Sequence, residues 1–290
     1  MAINSYTTTI NHTTDASFRQ WGLDFSNGLT AVGLVQTADT GQINWTTVTR
    51  PAINVSAGYE IRRSADSTIY YKFEFGTAGT ATFPQMWITV GQSSNGTGTL
   101  TGQLSTRNIW TSASAPISTT TPYSTFMSAS SDMFGVVWGQ NGFATGAVAP
   151  GGVLVVGKTV DNSGLPTTIG YSVIRQVAQT NFAMQSVRIT TTATTFTEST
   201  FFSIVPGAVT TSVSAGNNQA YLMWGNHPEV LPFLYSTTVV AAEVPENTTF
   251  SVALIGATPH TYLCVGGLGT TNIGPANNNA TTYSLAFLYE

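Results

Sequence analysis

A mainly β chain carrying a single helix near its N-terminus is predicted by three observations. Threonine fills 49 of the 290 positions and serine 26, against nine basic and thirteen acidic side chains, and β-branched threonine favours pleated, half-buried surfaces. Short apolar runs alternate with Gly, Pro, Asn and Asp breakers along most of the chain. Only one stretch repeats apolar residues at helical spacing. The expected architecture is an N-terminal α+β module over residues 1–115, a linker or long loop over 116–124, and a C-terminal antiparallel β-sandwich over 125–290.

The helix is expected at about residues 15–31. Thr13-Thr14-Asp15 offers capping oxygens, after which Phe18, Trp21, Phe25 and Leu29 recur every three or four residues and form one apolar stripe. Gly22 and Gly28 each cost about 1 kcal/mol relative to alanine, so packing against a sheet rather than propensity must hold this helix.

Strands are expected on both sides of it. Tyr6-Thr7-Thr8-Thr9-Ile10 is β-prone, and Gln42-Ile43-Asn44-Trp45-Thr46-Thr47-Val48 alternates as a half-buried strand does. Tyr59-Glu60-Ile61-Arg62-Arg63 and Ile69-Tyr70-Tyr71-Lys72-Phe73-Glu74-Phe75 flank a turn at Ser64-Ala65-Asp66-Ser67, and residues 85–90 follow. Charges alternating with apolar neighbours turn one face of these strands to water or to a partner.

The second half reads as successive strands at residues 134–138, 153–159, 170–177, 184–189, 201–205, 221–224, 250–255, 262–265 and 283–289. Asp161-Asn162-Ser163-Gly164, Gly216-Asn217-Asn218 and Pro245-Glu246-Asn247 supply turns. Between the halves, Pro116, Thr119-Thr120-Thr121 and Pro122 interrupt all periodicity, which places the division near residue 120. A length of 290 residues suits two cores. There is no fixed-period repeat, heptad pattern or collagen register, which argues against a solenoid, a propeller or a coiled-coil shaft.

Composition narrows the function classes. A net charge of −4 with scattered basic residues, Arg62-Arg63 being the one adjacent pair, leaves no electrostatic footprint for nucleic acid. The single cysteine, Cys264, forms no intrachain disulfide and reads as a small core residue in a strand. The N-terminus lacks the basic start and apolar run of an export signal, and no stretch reaches the ~18 apolar residues of a membrane span. The expectation is a product made in a cytoplasm and not inserted in a membrane.

Catalytic patterns are sparse. His12, His227 and His260 have no recognisable partners, and His227-Pro228-Glu229 lacks a third ligand at useful spacing, so a turn is the expected role and no metal is assigned. Glu60 and Glu74, on neighbouring strands, are the candidate acid pair for glycoside cleavage, with Asp132 and Asp161 the remaining acids to test. Arg62, Arg63 and Lys72 nearby favour ordinary cross-strand ion pairing instead. There is no Gly-x-Ser-x-Gly elbow and no phosphate loop; Gly96-Thr97-Gly98 and Gly266-Gly267-Leu268-Gly269 form turns. No catalytic residue and no cofactor are assigned. Trp110, Trp138, Trp224, Tyr235 and Tyr283 are candidate sugar-stacking residues, although aromatics in strands mostly pack in cores.

One longer pattern is more specific. Asp15-Ala16-Ser17-Phe18-Arg19-x-Trp21-Gly22 is followed by Val32-Gly33-Leu34-Val35-Gln36-Thr37-Ala38-Asp39-Thr40-Gly41-Gln42-Ile43-Asn44-Trp45, then Arg50-Pro51 and Ala57-Gly58-Tyr59-Glu60-Ile61. It continues through Trp87-Ile88-Thr89-Val90-Gly91 and Asn95-Gly96-Thr97-Gly98-Thr99-Leu100-Thr101-Gly102. This pattern resembles virion structural proteins of tailed bacteriophages, best over residues 5–104. The likeness is weaker where Gly152-Val153-Leu154-Val155-Val156-Gly157-Lys158-Thr159 precedes Asp161 and Gly164.

The resemblance implies a particle component and no catalytic residues. The expected function is a structural part of a tail, baseplate or fibre that assembles with other virion proteins as a homo-oligomer, localised to the virion after synthesis in the bacterial host cytoplasm. The alternatives are a receptor-binding module for host-surface carbohydrate and a capsid decoration protein.

Overall fold

The computed structural model describes residues 2–9, 13–64, 69–78, 83–102, 108–111, 122–131, 133–140, 152–160, 166–176, 184–189, 198–199, 216–224, 227–238, 249–253, 259–264 and 283–289. Among them the one α-helix is α1 (Asp15–Ala31). The strands are β1 (Ala2–Thr9), β2 (Leu34–Gln36), β3 (Ser56–Ser64), β4 (Tyr70–Ala78), β5 (Phe83–Gly91), β6 (Ser93–Ser94), β7 (Leu100–Thr101), β8 (Asn108–Thr111), β9 (Pro122–Ala129), β10 (Met133–Gln140), β11 (Gly152–Val160), β12 (Pro166–Gln176), β13 (Met184–Ile189), β14 (Glu198–Ser199), β15 (Gly216–Trp224), β16 (His227–Thr238), β17 (Thr249–Ala253), β18 (Pro259–Cys264) and β19 (Tyr283–Leu288). The fold is mainly β, with the helix near the N-terminus followed by antiparallel sheets.

Helix α1 forms where the sequence places it. Thr14 is the N-cap: its hydroxyl accepts from the Ser17 backbone N–H at 3.1 Å, and the Ser17 hydroxyl accepts from the Thr14 N–H at 3.2 Å. This reciprocal pair satisfies two backbone donors that a helix start leaves unmatched. Phe18, Trp21, Phe25 and Leu29 are all buried, as the stripe requires. Each such side chain contributes roughly 1.5–3 kcal/mol when fully removed from water.

Gly22 has a packing reason. A Cβ there would lie 1.9 Å from the Trp45 ring, so only glycine lets the indole approach the helix this closely. Trp45 in turn sits 4.8 Å, centroid to centroid, from Phe75 at a near-perpendicular angle, and Phe18 tilts against it at 5.8 Å. Edge-to-face rings of this kind add to the burial of their area.

The five-stranded sheet runs β2-β3-β4-β5-β8. Its register pairs Glu60 with Phe73 and Tyr59 with Glu74. Directly paired residues share a face and successive residues alternate. Glu60, Arg62, Tyr71, Phe73, Phe75, Met86, Ile88 and Val90 therefore face the helix, and Tyr59, Ile61, Arg63, Tyr70, Lys72 and Glu74 face away.

A larger antiparallel sheet runs β1-β9-β10-β11-β16-β19-β18-β17, with β12 to β14 branching from β11 and β15 on β16. It meets the smaller sheet at Phe134, whose ring lies 5.0 Å from Tyr71 and 6.1 Å from Phe73. One core cluster accordingly contains Phe18, Phe25 and Phe73 from the N-terminal part together with Met127, Phe134 and Val156. Strand β1, which precedes the helix, pairs along its whole length with β9. Segments from both sides of the expected division thus share a sheet and a core.

Several local expectations change. Residues 42–48 are not a strand. The Asn44 carbonyl accepts from Thr47 at 3.2 Å and Val48 at 2.9 Å, and its side chain accepts from the Thr46 N–H at 3.0 Å. Asparagine offers the backbone a local turn that competes with a ladder. Gly216-Asn217-Asn218, expected as a turn, lies in β15 opposite Thr238, Thr237 and Ser236. Strand β9 takes in Pro122, at the end of the expected linker, where proline stands at a strand start and needs no N–H partner. Strand β16, starting at His227, occupies a stretch where no strand was expected. The strand expected at 201–205 and the turns at Ser64-Ala65-Asp66-Ser67, Asp161-Asn162-Ser163-Gly164 and Pro245-Glu246-Asn247 lie wholly or largely outside the described residues.

Candidate functional site

The acid pair does not assemble. Glu60 and Glu74 stand on opposite faces of the sheet, set by their registers against Phe73 and Tyr59, so no substrate bond can sit between them. Glu60 is 1 % exposed and is committed to structure. One carboxylate oxygen accepts from the Trp45 indole N–H at 2.6 Å, and the other accepts from Arg62 Nε at 2.9 Å. Arg62 also donates to the Ser26 hydroxyl at 2.6 Å, the Thr30 hydroxyl at 2.8 Å and the Leu34 carbonyl at 3.1 Å. The pair therefore ties α1, β2, β3 and the Trp45 turn together, with its donors and acceptors met inside the protein.

The other named residues are dispersed. Asp132, Asp161 and His12 lie outside the described residues. His227 opens β16 opposite Trp224, Glu229 stands opposite Leu222, and His260 stands opposite Val252 in a different hairpin. Trp110 is paired with Met86, Trp138 with Thr125, Tyr235 with Ala286 and Tyr283 with Thr238. Cys264 ends β18 opposite Ala286. Among the described residues no group of three or more His, Cys, Asp or Glu could hold a metal ion, and no helix is long and apolar enough to cross a membrane.

A different cleft is built where residues 37–42 meet residues 94–98. The turn following β2 docks on the loop between β6 and β7. Thr40 donates its N–H to the Gly96 carbonyl at 3.0 Å. The Tyr59 hydroxyl donates to the Thr40 carbonyl at 2.5 Å. Gln42 spans the base of the turn, donating to the carbonyls of Thr37 at 2.7 Å and Asp39 at 3.1 Å while its amide oxygen accepts from the Ile61 N–H at 2.8 Å.

Asp39 is the hub. Its carboxylate accepts from the Thr37 hydroxyl at 2.5 Å, from the Gly98 N–H at 3.2 Å and from the Ser94 hydroxyl. Partial burial raises the Asp39 carboxyl, but the hydrogen bonds from Ser94, Thr37 and Gly98 outweigh it and hold the group below the ordinary carboxylate value. Gly98 sits at φ +91°, and a Cβ there would lie 2.3 Å from the Tyr59 hydroxyl. Both its backbone conformation and the phenol require glycine.

This turn, the β6–β7 loop and the outward face of β2 to β4 enclose a cleft of about 480 Å³. Its lining includes Val35, Thr37, Asp39, Arg63, Tyr70 and Ser94. Val35, 57 % exposed, pairs across the strands with Arg63, whose guanidinium carbon lies 5.5 Å from the centre of the Tyr70 ring. None of these residues was singled out from the sequence as a binding candidate. The available signal was strand alternation, which sends the second arginine of Arg62-Arg63 to the face away from the helix.

No protein-family model, no curated protein and no solved structure matches this chain.

Proposed function

We propose that the chain is a structural component of a tailed-phage virion, associated with the tail, baseplate or fibre, and that it works by protein–protein assembly. The observation that carries this reading is the long N-terminal pattern resembling phage virion proteins. Its residues are tied to one another and to the segment between them: Asp15 accepts from the Arg50 N–H at 2.9 Å, Arg19 donates to the Val48 carbonyl at 2.5 Å, Trp45 packs on Gly22, and the Asp39 turn docks on the loop of residues 95–99.

The edge of the larger sheet supports assembly as the mode of action. Strand β1 has β9 as its sole partner among the described strands. Its sequence, Ala-Ile-Asn-Ser-Tyr-Thr-Thr-Thr, contains no charge and no proline, and Ile3 is 41 % exposed. Edge strands are usually guarded by charge, proline or a bulge against further pairing. An unguarded one is suited to strand addition by a neighbouring subunit. Few charges across the chain also limit the desolvation cost of extensive contacts.

The test is to label this chain in intact particles and to measure the mass of the purified protein in solution. A defined oligomer and labelling at the tail, baseplate or fibre are expected. A stable monomer absent from particles overturns the reading, and labelling over the head replaces it with capsid decoration.

A further inference from the structure

We infer that the cleft beside Asp39 is a binding site for an acidic saccharide, a sugar unit bearing one carboxylate of the uronic-acid type. The inference stands independently of the assembly reading, because it rests on the geometry of one cleft. A volume of about 480 Å³ lies within the range of small-ligand sites, roughly 300–1,000 Å³.

The chemistry of the walls selects the ligand. Arg63 has no carboxylate within ion-pair distance among the described residues, where the ion pairs are Arg19 with Asp15 and Arg62 with Glu60. Asp39, the acid that shares the cleft, directs its acceptors to Thr37, Ser94 and Gly98, so among the described residues Arg63 faces no carboxylate committed to it. The guanidinium lies over the Tyr70 ring at 5.5 Å, which holds its planar fork ready for a carboxylate.

The hydroxyls of Thr37 and Ser94 have a fixed polarity as well. Each gives its only proton to Asp39, so each can offer a ligand only acceptor lone pairs. The cleft consequently presents donors at Arg63 and acceptors at Thr37 and Ser94. The complementary molecule carries an anionic acceptor and several hydroxyl donors, and exposed Val35 provides an apolar patch for the C–H face of a ring. A Glu side chain also answers Arg63 but meets the acceptors only through backbone N–H groups, whereas a sugar ring carries several hydroxyl donors beside its carboxylate.

The experiment is an NMR-detected titration of the full chain with a galacturonic-acid oligosaccharide, its neutral galactose counterpart and a Glu-rich peptide. Ligand concentrations reach about 10 mM, to cover millimolar affinities. The uronate is expected to shift residues lining the cleft and to bind at least ~10-fold more tightly than the neutral sugar and the peptide. Arg63→Gln is expected to lose about the same factor with an unchanged melting temperature, and Arg63→Lys, which keeps charge without the fork, to fall between. Equal binding of uronate and neutral sugar, no binding of either, or full affinity in Arg63→Gln overturns the inference. A peptide that binds as well as the uronate assigns the cleft to a protein partner instead. If Arg63→Gln melts early, the Arg63→Lys comparison decides.

Discussion

Arg62 and Arg63 are adjacent on β3 and do opposite things. Arg62, 4 % exposed, is consumed by Glu60, Ser26, Thr30 and Leu34 at the helix–sheet junction. Arg63, one residue on, lies on the outward face over Tyr70. The pleat alone separates them. A charge whose partners all lie inside the fold holds the fold, whereas a charge left on a cleft wall is available to something else.

Replacing these arginines should break the comparison if it is false. Arg62→Ala leaves Glu60 buried and uncompensated, with an expected loss of about 3–5 kcal/mol in urea denaturation. Arg63→Ala is expected to change stability by no more than about 0.5 kcal/mol. Replacing Glu60 and Arg62 together by Leu and Met should recover much of the first loss, since a well-packed apolar pair can substitute for a buried ion pair. Equal losses for the two single variants would remove the distinction between the faces.

The next effect concerns the cleft wall. Gly98→Ala introduces a Cβ at positive φ against the Tyr59 hydroxyl, with an expected cost of about 1–3 kcal/mol. Gly96, also at positive φ but with nothing near its Cβ position, isolates the backbone part, about 1–2 kcal/mol. A larger loss at Gly98 than at Gly96 measures the contact that docks the turn. Equal losses would show that Tyr59 moves aside freely.

Smaller again is the helix cap, at the exposed start of α1. Thr14→Ala is expected to lower stability by about 1 kcal/mol. Adding Ser17→Ala should cost less than its own single effect, because the two residues satisfy each other's backbone N–H. Additive losses in denaturation experiments would argue against a reciprocal cap.

What the sequence revealed follows the range of the forces involved. Helix α1 was legible because its stripe and its cap are local, and Phe18, Trp21, Phe25 and Leu29 are buried as their spacing demanded. Residues 42–48 were misleading because alternation resembles a strand, while the Asn44 side chain and the anchoring of Trp45 on Glu60 make a turn. Strand β9 was hidden by its Ser, Thr and Pro content, and it is fixed by pairing with β1, more than a hundred residues earlier. The cleft was illegible for the same reason. Thr37, Asp39, Ser94 and Gly98 look like unremarkable turn residues until two distant loops meet. Only the splitting of Arg62-Arg63 between two faces could have been read directly from the strand period.

The smallest expected effect tests whether Asp39 is the hub of the cleft. Its folded-state carboxyl lies below the ordinary value, so across the acid range the unfolded chain binds more protons there than the folded one. Stability from Asp39 is fully present above the unfolded value, about 3.9, and is lost as pH falls through the depressed folded value. Asp39→Asn should accordingly destabilise the protein at neutral pH and converge on the parent as pH drops from about 5 to below 3. The group is only partly buried, so the gap should also shrink with added salt. A gap that stays constant with pH would mean that Thr37, Ser94 and Gly98 do not favour the charged carboxylate. The acceptor wall that shares the cleft with Arg63 would then lose its anchor.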